Sequence, residues 1–300
     1  MTLLFEDQLR AEQRLEQKHI DALARVVQSG VAPAQITSKT PRSQMGVYKD
    51  ERLLTVYSLQ ALQAGHQADH TSATAWHSVL QRAFAGRFAR VADHVGAHPY
   101  PAALQFEVDL QESPYIRAVM AQQYAKDPPH PVLYVRKWAG PKVGNDKAHW
   151  EGATQSDCRA IWGAGLDHQR LYVEAKFLSD VSTSTKYNCA RNQAARSIEA
   201  GLWDTARTWV GGPKDQIDSE TISRFWFMML TPELFRTDMP TARLYGFLMD
   251  QYRRDPSTLQ RDLPHLPLDA SDWAALSERV GWATWEDCRQ AIVTRQGNDH

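Results

Sequence analysis

The run SRFWFMMLT at residues 223–231 carries six consecutive apolar side chains, Phe225 to Leu230, and stops at Pro232. So short an apolar run, closed by a residue without a backbone N–H, reads as a strand. It is the last of several. After Pro101 the stretch AALQFEVDL alternates loosely, and HPVLYVRKW (130–138) and CRAIWGA (158–164) are strand candidates. LYVEAKF (171–177) follows a GLDHQR connection that suits a hairpin. Strands therefore cluster between about 101 and 231.

Helical patterns lie on both sides. Residues 5–29 carry Leu9, Leu15, Ile20, Leu23, Val26 and Val27 as an approximately helical stripe that Gly30 stops. A Pro, Ser and Thr-rich loop follows, then helical runs LLTVYSLQALQA (53–64) and SATAWHSVLQRAFAGRFARVADHV (72–95). NCARNQAARSIEAGLWD (188–204) reads as a helix inside the strand region, with Gly201 near its end. ARLYGFLMDQYRR (242–254) and DASDWAALSERVGWATWEDCRQAIV (269–293) read as helical throughout. The expected class is α/β, a mixed sheet of four or more strands flanked by helices. Residues 1–100 form a mainly helical N-terminal segment, 101–235 the core, and 236–300 a helical C-terminal segment packed on it.

Composition removes several classes. The 300 residues are 43% apolar and 23% charged with a formal net charge of −1, so the chain is not of the basic type that coats nucleic acid. Contact with a polyanion has to come from a local patch. No apolar run approaches the ~20 residues that span a bilayer, so no membrane is expected. The N-terminus carries acids where a secretory signal carries bases. Cys158, Cys189 and Cys288 are odd in number and fit neither zinc spacing nor a disulfide framework, which suits a reducing cytoplasm. GxxxxGK[ST], GxGxxG after a strand and GxSxG are all missing. His66 and His70 have i,i+4 spacing, but no acid or cysteine completes a zinc set around them.

One strand carries an unusual pair. In YVEAKF, Glu174 and Lys176 are two apart, so on a strand they share a face while Val173, Ala175 and Phe177 take the other. A surface ion pair and a metal site both account for this. Glu16-Gln17-Lys18 repeats the pattern on a helix, where i and i+2 do not face each other. The copy at 174–176 has company. Asp157 lies 17 residues earlier, at the start of the neighbouring strand, where hairpin pairing lets it approach Glu174. A helix bearing Arg191, Asn192, Gln193 and Arg196 follows and can pack over the sheet.

With these residues, SDCRAIWGAGLDHQRLYVEAKF followed by RNQAAR resembles the PD-(D/E)XK nuclease superfamily of restriction-endonuclease-like fold, over roughly residues 101–235. The match makes Asp157 the first acid, Glu174-Ala175-Lys176 the (D/E)XK, and Gln193 and Arg196 polar helix positions. Ser156-Asp157 replaces the usual Pro-Asp, which leaves Glu151 and Asp167 as rival first acids. Glu107 is a further upstream carboxylate, read as a surface residue.

The resemblance implies a metal-dependent nuclease hydrolysing phosphodiester bonds, of DNA before RNA, in restriction, repair or phage defence. Mg²⁺, with Mn²⁺ able to substitute, would be held by Asp157, Glu174 and the Ala175 carbonyl, all hard oxygen ligands. Bound metal polarises the phosphoryl oxygen and acidifies a water. Lys176 would orient that water or stabilise developing charge, and Gln193 completes the catalytic set. Arg191 and Arg196 are expected to contact nucleic acid. So are Arg136 and Lys137 of the basic stretch 135–147, where Trp138 is placed to stack on a base. Cleavage of both strands would favour a two-fold homodimer. The alternative is a catalytically inactive nucleic-acid-binding or assembly protein on the same fold.

Overall fold

A computed structural model describes residues 51–68, 73–85, 100–125, 153–163, 168–176, 180–182, 191–209, 211–237 and 243–296. The helices are α1 Glu51–Ala68, α2 Ala73–Ala83, α3 Pro114–Ala125, α4 Gln193–Arg207, α5 Ser219–Arg224, α6 Leu244–Arg254, α7 Pro256–Asp262, α8 Ala270–Glu278 and α9 Trp285–Gln296. The strands are β1 Ala103–Leu110, β2 Thr154–Trp162, β3 Gln169–Ala175, β4 Phe225–Thr231 and β5 Val280–Thr284.

The strands form one mixed sheet in the order β1-β2-β3-β4-β5. The first three pair antiparallel, and β4 and β5 add in parallel. The chain is thus of mixed α/β class, with a five-stranded sheet flanked by helices. Parallel pairs need a crossover, and the segments that supply it cover a face of the sheet. β3, β4 and β5 are accordingly buried along their whole length, which is why β4 has no polar alternation.

Cys158, Ala160, Leu171, Val173, Ala175, Trp226, Met228 and Leu230 point to one face and pack with residues of α1, α2 and α9. There Phe84 lies so close over β5 that a Cβ on Gly281 would stand 2.6 Å from its ring. Tyr172, Phe225, Phe227, Met229 and Trp282 point to the other face, against α4 and α6–α8. Gly201 lets α4 approach the stacked Tyr172 and Phe225 rings, whose centroids are 5.6 Å apart.

Four elements were not expected. α3, α5 and α7 are helices where no helix was assigned. The stretch 269–293, read as helix throughout, is broken by β5, so the sheet continues past residue 235. The reading is corrected for a local reason. Thr284 and Asp287 exchange side-chain bonds with each other's backbone N–H, at 3.1 and 3.0 Å, and start α9 as a new helix. The apolar spacing of Trp273, Leu276, Val280 and Ala283 passes for one continuous helical stripe and hides the break.

The expected helix at 5–29 and strand at 130–138 lie outside the described residues. No helix among the described residues is long and apolar enough to cross a membrane.

Candidate functional site

The β2–β3 register pairs Cys158 with Val173, which sets Asp157 across from Glu174 on the α4 face. Asp157 Oδ2 accepts the Ala175 N–H at 2.6 Å, so the hairpin itself fixes the carboxylate. Lys176 follows on the same face, and its Nζ lies 2.7 Å from Glu174 Oε1. Glu174 is 2% exposed and Lys176 8%. This is an enclosed ion pair, not a solvated one.

Helix α4 brings the remaining groups. Asn192 caps it by accepting the Ala195 N–H at 2.8 Å, satisfying one of the orphan donors of the first turn. Its Nδ2 donates to Tyr252 Oη and Asp262 Oδ2, both at 2.9 Å, which ties the helix start to α6 and α7. The first turn is thereby aimed at β3. Gln193 Nε2 donates to Glu174 Oε1 at 2.7 Å and Ser197 Oγ to Glu174 Oε2 at 3.1 Å. Arg196 reaches the carbonyl of Ala153 at the start of β2, 2.8 Å away.

Across β2 the register continues. Phe106 pairs with Cys158 and Val108 with Ser156, which puts Glu107 abreast of Asp157. Glu107 has φ 52, a left-handed conformation uncommon for a residue with a side chain. Its charge raises the pKa of Asp157.

The electrostatics follow from burial. Desolvation first, then the charge of Glu174, pushes Asp157 up to about 7, against the pull of the Ala175 N–H and Lys176. Asp157 and Glu174 here share one ammonium, Lys176, an excess of one negative charge when all three are ionised. A hard divalent cation fits such a set, since it would favour the ionised carboxylates. Among the described residues no three His, Cys, Asp or Glu side chains form a ready-made cage. Mg²⁺ usually keeps several waters and is held by one or two carboxylates.

The expected residues separate into three groups. Asp157, Glu174, Ala175, Lys176 and Gln193 come together, with Arg196 beside them at the start of β2. Arg191 does not join them. It is 4% exposed, and its guanidinium is held by buried Glu199, which also accepts from Ser113 and bonds His265 Nε2 at 2.9 Å. The expected nucleic-acid contact is thus placed in a buried ion pair with Glu199, away from the Asp157–Glu174 face. Arg191 first among these groups holds the Glu199 carboxyl below its usual range, against burial. Arg136, Lys137, Glu151 and Asp167 lie outside the described residues.

Two residues of the site were missed or misplaced by sequence reasoning. Ser197 was not singled out, although its place one turn after Gln193 puts both on one helix face. Glu107 was assigned to the surface, and only the β1–β2 register places it abreast of Asp157. Compared with known protein-family models, curated proteins and solved structures, the chain matches none.

Proposed function

We propose that this chain is a divalent-metal-dependent phosphodiesterase that cleaves nucleic acid, DNA in the first instance, on a restriction-endonuclease-like core. The observation that carries the reading is the register that faces Asp157 toward Glu174 with Lys176 on the same side. The mixed sheet and the helix that lays Gln193 on Glu174 support it, being what the resemblance implies. So does the enclosure of Glu174 and Lys176, which the solvated ion pair does not account for.

Asp157, Glu174 and the Ala175 carbonyl would hold Mg²⁺ or Mn²⁺. When bound, such an ion supplies Lewis acidity and a water of lowered pKa. Gln193 orients Glu174 through Oε1. Lys176 Nζ is the positive group at hand for an attacking water and for negative charge developing at phosphorus. Arg196, beside the site at the start of β2, would contact a phosphate of the bound strand. A homodimer presenting two such sites, in a cytoplasmic restriction, repair or defence role, belongs to the same proposal.

A second reading has its own observation. Lys176 and Glu174 already satisfy each other, as they would in an inactive binding or assembly protein. Incubation with labelled single- and double-stranded DNA and RNA in Mg²⁺, Mn²⁺ and EDTA separates the two. Cleavage of at least one substrate with metal, and none in EDTA, is expected. Binding without cleavage under every condition selects the second reading.

A further inference from the structure

Glu174 is held by three donors, spread unequally over its two oxygens. Oε1 takes both Lys176 Nζ and Gln193 Nε2, each at 2.7 Å. Among the described residues, Oε2 takes only Ser197 Oγ, at 3.1 Å. A carboxylate oxygen has about two acceptor directions. Oε1 is therefore filled, and Oε2 keeps one direction open.

Ser197 is 3% exposed and stands one turn after Gln193, so the two clamp the carboxylate from a single helix face. The clamp is rigid at its root, because Asn192 fixes the start of α4 to α6 and α7. We infer that Ser197 is a positioning residue. Its hydroxyl holds Glu174 so that Oε2, and not Oε1, is the oxygen presented to a cation, while Lys176 stays paired. The inference rests on the metal-site reading above. It adds that the filled oxygen and the open one are set by α4.

Outer partners of metal-binding carboxylates typically contribute 10–100-fold in affinity. The test is Mn²⁺ affinity, by electron paramagnetic resonance of the free ion, for the full chain, Ser197→Ala and Ser197→Cys. Metal-free melting curves for all three check the fold. Cysteine keeps the volume but is a weak donor, so both variants should bind Mn²⁺ about 10–100-fold more weakly with cooperative melts retained. If the alanine variant loses its cooperative melt, the cysteine variant decides alone. Wild-type affinity in either variant overturns the role of the hydroxyl. A wild-type chain that binds no Mn²⁺ overturns the metal-site reading, and this inference falls with it.

Discussion

Lys176 and Glu174 hold each other's charge in a place almost closed to water. Removing Lys176 takes the ammonium from a buried carboxylate and leaves it, among the described residues, only the neutral donors Gln193 and Ser197. Breaking a buried pair in this way commonly costs about 3–5 kcal/mol. Lys176→Ala should therefore destabilise the metal-free chain by that order, and added Mg²⁺ should recover much of it by replacing the lost positive charge. Paired melting curves with and without Mg²⁺ measure this. A Mg²⁺ response no larger than that of the wild type would mean the ion does not meet Glu174. In single-turnover cleavage at saturating metal the same variant should be slower by ~10²–10³, because a positioned charge is missing at the chemical step.

Asp157 makes the pH prediction. Its pKa is raised from 3.8 to about 7, by burial first and Glu174 second, so the folded chain keeps a proton that the unfolded chain has lost. The stability tied to that proton is full below about pH 4 and is lost as pH rises through 7. Asp157→Asn is neutral throughout and lacks this pH dependence. The difference between wild type and Asp157→Asn, read by denaturation from pH 5 to 8 without metal, should shift by on the order of a few kcal/mol in favour of the variant. Parallel curves would show that Asp157 is not strained by its surroundings.

At the scale of elements, α4 carries the site, and the small residue at its middle sets how near it comes. A Cβ on Gly201 would lie 2.8 Å from the Phe225 ring and 3.0 Å from Tyr172. Gly201→Ala gains helix propensity but overpacks that contact, and a net loss of about 1–3 kcal/mol is expected in chemical denaturation. A stabilised variant would mean that α4 can lift off the sheet freely. The far end of the helix resists such a shift. Arg159, Arg170 and Tyr172 all converge on Asp204, with Tyr172 Oη 2.6 Å from its carboxylate.

The hairpin of β2 and β3 was legible because its signals are local. Apolar runs flank a turn-rich connection, and the two-residue period alone puts Glu174 and Lys176 on one face. β5 was not, because five residues inside a helical-looking stripe become a strand only through pairing with β4. The signal for its end was present in Thr284-Trp285-Glu286-Asp287, which has the spacing of a helix-starting box.

For the whole molecule, the sheet is one layer between two helical layers, and each helical layer draws on distant parts of the chain. α1 and α2 meet α9 on one face, and α4 meets α6–α8 on the other. Sequence could suggest helices around a sheet but not which face each takes. The misreadings share this origin. Arg191 looked like a phosphate contact because its partners Ser113, Glu199 and His265 come from three separate elements or loops. The place of half-buried Glu107 abreast of Asp157 was hidden because β1 had no register in the sequence.

The central claim is that the Asp157, Glu174 and Lys176 face is a metal-dependent cleavage site. Glu174 tests it most directly, since every group of the site bonds to it or faces it. The measurement is single-turnover cleavage of labelled DNA in Mg²⁺ by wild type and by purified, folded Glu174→Ala. The account predicts cleavage by the wild type that EDTA abolishes, and a fall to background in the variant. Equal turnover by the two proteins would contradict it.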